Sequence, residues 1–173
     1  MSVRKQVERI RQLTASREFE KACALGQTTL KKNPANIMVS LAYGEALLSC
    51  GENAVAATVL AKFSGMRKAP VELFLMQSFA LMQLQQLEAC LEVVMAGLKG
   101  FPDHPELLNN AGVLNEMLKR PATAEGVFRR LTELQPGRGG AFVGLGNALH
   151  QQGKNAEALD AYQSAATLEP GNP

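Results

Sequence analysis

The sequence predicts an all-α fold: about ten antiparallel helices arranged as five stacked helix-turn-helix repeats. Proline stands at positions 34, 102, 136 and 170, all multiples of 34, and the skipped multiple, Lys68, has Pro70 two residues later. Small residues keep the same step at Ala22, Ala56, Cys90, Ala124 and Ala158. Two columns sharing one period of this length along the whole chain are the signature of a repeat array. Composition is the third observation. With 46% hydrophobic residues, only 5% aromatic and no tryptophan, the chain suits close helix packing better than a sheet sandwich. The 173 residues are expected to form one array, with repeats at about 3–36, 37–70, 71–104, 105–138 and 139–172.

The first repeat is the most polar. Gln6 and Arg9 occupy columns that are apolar or small elsewhere, which suits a helix closing the end of the array, and Phe19, Ala22, Leu25 and Pro34 resume the pattern. The second offers Tyr43, Gly44 and Leu47, a turn at Gly51, then Ala56, Leu60 and Phe63 on a second helix. The third offers Phe74, Ser78 and Leu81, then Cys90, Val94, Gly97 and Pro102.

In the fourth repeat, Asp103-His104-Pro105-Glu106 favours helix initiation, with Asp103 three residues before a glutamate and proline in the first turn. Leu108, Ala111 and Gly112 follow. Lys119-Arg120-Pro121 then stands where other repeats place a glycine, with Pro121 as the first residue of the next helix, ahead of Ala124, Phe128 and Leu131. The fifth repeat is the most regular. Phe142, Leu145 and Leu149 form one stripe, Gly146 leaves room for a neighbouring backbone, and Gly153 supplies a left-handed C-cap. Asn155 is placed as an N-cap, Ala158, Tyr162 and Ala165 form the next stripe, and Pro170-Gly171 ends it.

The period and the residues Phe142, Leu145, Gly146, Leu149, Ala158, Tyr162, Ala165 and Pro170 resemble the tetratricopeptide repeat family across the whole chain. Departures fall at Gln6, Arg9, Ser40, Lys68, Gln77 and Asn115. The resemblance implies a right-handed α-solenoid whose first helices line a concave groove that holds a peptide or helix of a partner protein. On that basis the candidate partner-binding residues are Met38, Leu41, Glu45 and Leu48 in the second repeat, and Leu75, Phe79 and Met82 in the third. Asn109, Asn110, Val113, Glu116 and Met117 continue the surface in the fourth, and Val143, Asn147, His150 and Gln151 in the fifth. The groove is then apolar in its middle and polar toward the C-terminal end. Packing of Leu75, Phe79 and Met82 against adjacent helices, or against a second copy of the chain, is the competing reading. One subtype of the family clamps a peptide carboxylate with Lys, Arg and Asn. The corresponding columns hold Leu75, Phe79, Asn110, Gly140 and Gly144, of which only Asn110 fits, so no carboxylate clamp is expected.

Net charge is +2, but residues 1–32 hold eight Lys and Arg against three Asp and Glu. A basic first repeat is either a solvated end face or a contact for acidic partners or phosphate. Cys23, Cys50 and Cys90 form no close pair in sequence and are odd in number, so no disulfide framework is expected and a reducing, cytoplasmic setting follows. The first residues carry no apolar stretch of a signal peptide, and no run is long enough to span a bilayer.

His104 and His150 lie in different repeats without metal-ligand neighbours, and no phosphate loop, zinc-protease motif or nucleophile elbow is present. Without aromatic interleaving or a basic stripe, nucleic acid is not an expected partner. The expected function is therefore a non-catalytic adaptor that binds protein or peptide and takes no cofactor or metal. The alternative is an N-terminal module of a larger bacterial enzyme such as a sulfotransferase or glycosyltransferase. The final repeat has no solvating helix after it, so the chain is expected to be part of a longer protein or to pack there against another molecule, a second copy included.

Overall fold

The structure is a computed structural model and describes residues 1–66 and 69–169. Those residues form ten helices and no strand. The helices divide between two compact units, Met1–Gln86 and Leu87–Pro173. Lys68, Pro170 and Gly171, which mark predicted repeat ends, lie outside the described residues.

In the first unit, α1 (Val3–Ala15) packs on α2 (Phe19–Lys32), and both pack on α3 (Ile37–Ser49). Helix α4 (Asn53–Ala61) and helix α5 (Val71–Gln83) each pack on α3 and on one another. The core of α1 to α3 holds Val7, Ile10, Leu13, Ala22, Val39, Ala42 and Ala46. In α1 the apolar residues recur at three- and four-residue spacing. One stripe is therefore buried, while Arg4, Lys5, Glu8, Arg9, Arg11 and Gln12 remain exposed. Ser2 caps α1 by accepting from the Lys5 N–H, and Asn36 caps α3 by accepting from Met38 and Val39.

The second unit begins with α6 (Leu87–Gly100) on α7 (Pro105–Met117). Helix α7 packs on α8 (Pro121–Leu134) and α9 (Gly139–His150), and α9 packs on α8 and α10 (Asn155–Leu168). Its core gathers Leu108, Ala124, Phe128, Leu131, Ala141, Leu145, Leu149 and Ala158. The small-residue column is buried throughout both units: Ala22, Ala56, Cys90 and Ala124 are at 0% exposure and Ala158 at 2%. Helices can cross closely only where one presents a short side chain, so Leu at any of these positions overpacks by about 1–3 kcal/mol.

The turns inside the hairpins repeat more faithfully than their residue types. Arg17, Gly51, Gln85, Lys119 and Gly153 all take positive φ, between 57° and 83°, and stand 34 residues apart. In each case the following residue donates its N–H to the carbonyl five positions back: Glu18 to Leu13, Glu52 to Leu47, Gln86 to Leu81, Arg120 to Asn115 and Lys154 to Leu149. This is the Schellman closure, which satisfies carbonyls that the helix end leaves open. Lys119 thus does conformationally what glycine does at Gly51 and Gly153, at a cost of about 1–2 kcal/mol for its Cβ.

Several local expectations are corrected. Helix α4 ends at Ala61, so Phe63 is not on it. The chain winds more tightly there, with i→i−3 bonds from Phe63 to Leu60, Ser64 to Ala61 and Met66 to Phe63. Phe63 is buried all the same, at 4% exposure. Asn155 is the first residue of α10 and does not cap it, and its side-chain oxygen lies 3.1 Å from His150 Nδ1. The N-cap of α7 is His104; Asp103 instead accepts from both Nε and Nη2 of Arg130 on α8. Gly146 makes room for the ring of Tyr162, a side chain and not a backbone. Phe142 is only half-buried, unlike its stripe-mates Leu145 and Leu149.

Cys23 and Cys50, far apart in sequence, form a close pair in space, with their sulfurs 3.5 Å apart. The packing of α2 on α3 brings them together.

Candidate cleft between the first helices

The candidate residues of the first unit lie on α3 and α5, and the structure brings five of them together. Met38, Leu41, Glu45, Leu48 and Leu75 line a cleft of about 700 Å³ with Arg11, Ser49, Pro70, Glu72 and Met76. Helices α1, α3 and α5, the first of each hairpin, supply its walls. Helix α3 places Met38, Leu41, Glu45 and Leu48 on one face because they follow three- and four-residue spacing. Its other face carries Val39, Ala42, Ala46 and Leu47 into the core. Leu41 forms the floor at 8% exposure, whereas Met38 stands 48% exposed at the rim.

Phe79 and Met82 do not line this cleft. Phe79 is 51% exposed on α5, and Met82 is half-buried. Helix α5 buries Leu73, Phe74, Gln77, Ser78, Ala80 and Leu81, so its nearly continuous apolar sequence supplies both a core face and an exposed one.

Charge is confined to the rim. Arg11 Nε stands 4.0 Å from Glu45 Oε2, and both side chains are about half exposed (48% and 53%). Glu72 is exposed in the first turn of α5. The cleft is thus an apolar floor with two carboxylates and one guanidinium at its edge.

Arg11, Ser49, Pro70, Glu72 and Met76 were missing from the sequence-based set. The period itself pointed to two of them. Arg11 stands 34 residues before Glu45, and Glu72 stands 34 after Met38. The polar character of the first repeat hid the former, and the expectation of an apolar groove hid the latter. Met76 enters because its methyl reaches over Gly44, near the place a Cβ there would occupy.

In the second unit the candidates lie on α7 and α9. Met117 and Val143 are exposed at 48% and 40%, and His150 and Gln151 are exposed as well. Asn109, Asn110 and Val113 are half-buried. Asn147 is committed internally. Its carbonyl oxygen accepts from the Tyr162 hydroxyl at 2.9 Å, and its amide hydrogen-bonds Glu116. Burial raises the Glu116 carboxyl above its ordinary value, and that hydrogen bond opposes the rise.

Among the described residues no group of three or more His, Cys, Asp and Glu side chains is placed to hold a metal ion. No helix among them is long and apolar enough to cross a membrane.

Hairpins of two helices, closed by the same turn every 34 residues and packed through a column of small residues, define a helical repeat protein. The chain belongs to the tetratricopeptide repeat family, whose model matches residues 75–139 and 121–173. Its fold is similar to that of a crystal structure of MamA protein, with a TM-score of 0.88 and 17% identity over 97% of this chain and 92% of that one. It is also similar to YrrB, described as a TPR protein with an unusual peptide-binding site, with a TM-score of 0.84 and 18% identity over 96% and 86% of the two chains. At these identities the likeness is one of fold. No curated protein matches the chain by sequence.

Proposed function

We propose that the protein is a protein-interaction scaffold, and that the cleft of its first unit holds the apolar side of a peptide or short helix from a partner protein. The observation that carries this reading is the meeting of Met38, Leu41, Leu48, Leu75 and Met76 around one open space of about 700 Å³. That volume is in the range of ligand-binding clefts, about 300–1,000 Å³. Methionines at the wall can repack around ligands of differing shape. The two rim carboxylates, Glu45 and Glu72, against the single Arg11 favour a ligand carrying one basic residue beside its apolar ones. Membership of the tetratricopeptide repeat family and the peptide-binding description of YrrB agree with this reading.

The test is selection from a displayed peptide library, followed by affinity measurement on three proteins: the parent, Leu75→Glu and Val55→Glu. Leu75 lines the cleft, whereas Val55 is exposed on α4 outside it. Selected peptides should be apolar with a basic residue, should bind Val55→Glu like the parent, and should lose at least tenfold in affinity for Leu75→Glu. Equal loss in both variants, or in neither, removes the cleft from the function.

A further inference from the structure

We infer that Cys23 and Cys50 form a covalent modification site, a dithiol that closes to an intramolecular disulfide by exchange with a low-molecular-weight disulfide. Their sulfurs stand 3.5 Å apart, on α2 and at the C-cap of α3. Bond formation needs a sulfur separation of about 2.05 Å, so the remaining approach of some 1.5 Å is within reach of side-chain rotation. Cys90 is buried at 0% exposure in the second unit's α6.

The two thiols are unequal, which sets the order of events. Cys50 is exposed and is the sulfur an external disulfide reaches first. Cys23 is half-buried, and burial followed by its hydrogen bond with Cys50 pushes its thiol up to about 12, so it stays protonated until late. Cys50 Sγ also lies 3.3 Å from the Leu47 carbonyl oxygen, which holds it at the helix end facing Cys23.

Closure proceeds by two exchanges. The Cys50 thiolate attacks the external disulfide, forming a mixed disulfide and releasing one thiolate. Cys23 Sγ then attacks Cys50 Sγ, the second external thiolate leaves, and it takes up the proton that Cys23 gives up. Both protein thiols are oxidised, and one external disulfide is reduced to two thiols. The bond joins the second helix of the first hairpin to the first helix of the next. Because Leu48 and Ser49 line the cleft immediately before Cys50, it also fixes the end of the cleft wall.

The test equilibrates the full chain in glutathione redox buffers and reads the products by peptide mass spectrometry. In the native parent, a Cys23–Cys50 link should form, with the mass of two hydrogens lost. In Cys23→Ser, a glutathione adduct should accumulate on Cys50 instead, and Cys90→Ser should behave as the parent. The equilibrium constant for closure in the native chain should exceed that in urea-unfolded chain by at least about tenfold, because folding holds the two sulfurs together. The closed form should melt about 5 °C or more above the reduced form, reversibly with dithiothreitol. The inference is overturned if the native parent keeps both thiols, or carries a Cys50 adduct as long-lived as that in Cys23→Ser. Closure no more favourable than in the unfolded chain overturns it as well. The parent comparison in urea requires no variant to fold.

Discussion

A Cβ added to Gly144 would stand 2.5 Å from the ring of Phe128. The glycine on α9 is therefore a seat for an aromatic side chain from α8, and Gly112 on α7 meets the tip of the same ring, also at 2.5 Å. Phe128 is 1% exposed and joins three helices of the second unit. Gly144→Ala should cost about 1–2 kcal/mol, since overpacking outweighs the roughly 1 kcal/mol by which alanine favours a helix. Gly126, on the exposed side of α8 with nothing within 4 Å of its Cβ position, should respond oppositely. Gly126→Ala is expected to stabilise by about 0.5–1 kcal/mol. Urea unfolding of both variants checks the pair, and equal signs would refute the packing account.

Glu125 on α8 is bound by Lys154 at 2.7 Å, Gln152 at 2.8 Å and Arg129 at 2.9 Å. These bonds, led by that from Lys154, lower its carboxyl from 4.5 to about 2. A folded value below the unfolded one means that the ionised carboxylate stabilises the fold. The contribution is complete above pH 4.5 and vanishes as pH falls toward 2. Because Lys154 and Arg129 are themselves about half exposed, solvent screening leaves about 1–2 kcal/mol. Glu125→Gln should show that deficit at pH 7, and the difference from the parent should close between pH 4.5 and 2 in urea titrations.

The left-handed turn residues Arg17, Gln85 and Lys119 carry a Cβ in a conformation that suits glycine. Lys119→Gly should raise stability by about 0.5–1 kcal/mol: relief of about 1–2 kcal/mol, reduced by the greater freedom of glycine in the unfolded chain. Gly51→Ala, at φ 83°, should lower stability by about 1 kcal/mol or more. Thermal unfolding distinguishes the two signs.

Ser40 is wholly buried on α3, and its hydroxyl has no hydrogen-bond partner among the described residues. Thr29 on α2 is in the same situation at 1% exposure. Ser40→Ala removes an unsatisfied group and improves helix propensity, so a gain of about 1 kcal/mol is expected. Thr29→Val, which replaces the hydroxyl by a methyl and keeps the branched shape, should gain a comparable amount. A loss of stability in both would show that the hydroxyls are satisfied.

The period was legible because packing imposes it locally. Ala22, Ala56, Ala124 and Ala158 sit wherever two helices cross, so the constraint recurs at each hairpin and survives change elsewhere. The turn could be read only where glycine marks it: Gly51 and Gly153 announce positive φ, while Arg17, Gln85 and Lys119 conceal the same geometry. Candidate surface residues were legible as a helical stripe, but not as a site. Leu75 and Phe79 share a face of α5 by spacing, yet only Leu75 lines the cleft. Asn147 shares a column with Glu45 and Phe79, yet its oxygen is taken by Tyr162.

From residue order alone came the all-helical class, the five hairpins and the column that must stay small, because i to i+4 spacing and the repeat length fix which side of each helix faces inward. The period puts Arg11 in the column of Glu45, but tertiary packing alone decided how near those two side chains stand at the cleft rim and that Cys23 meets Cys50. Those residues lie 27 or more positions apart, and their separation depends on how rigid helices dock, which no local spacing encodes.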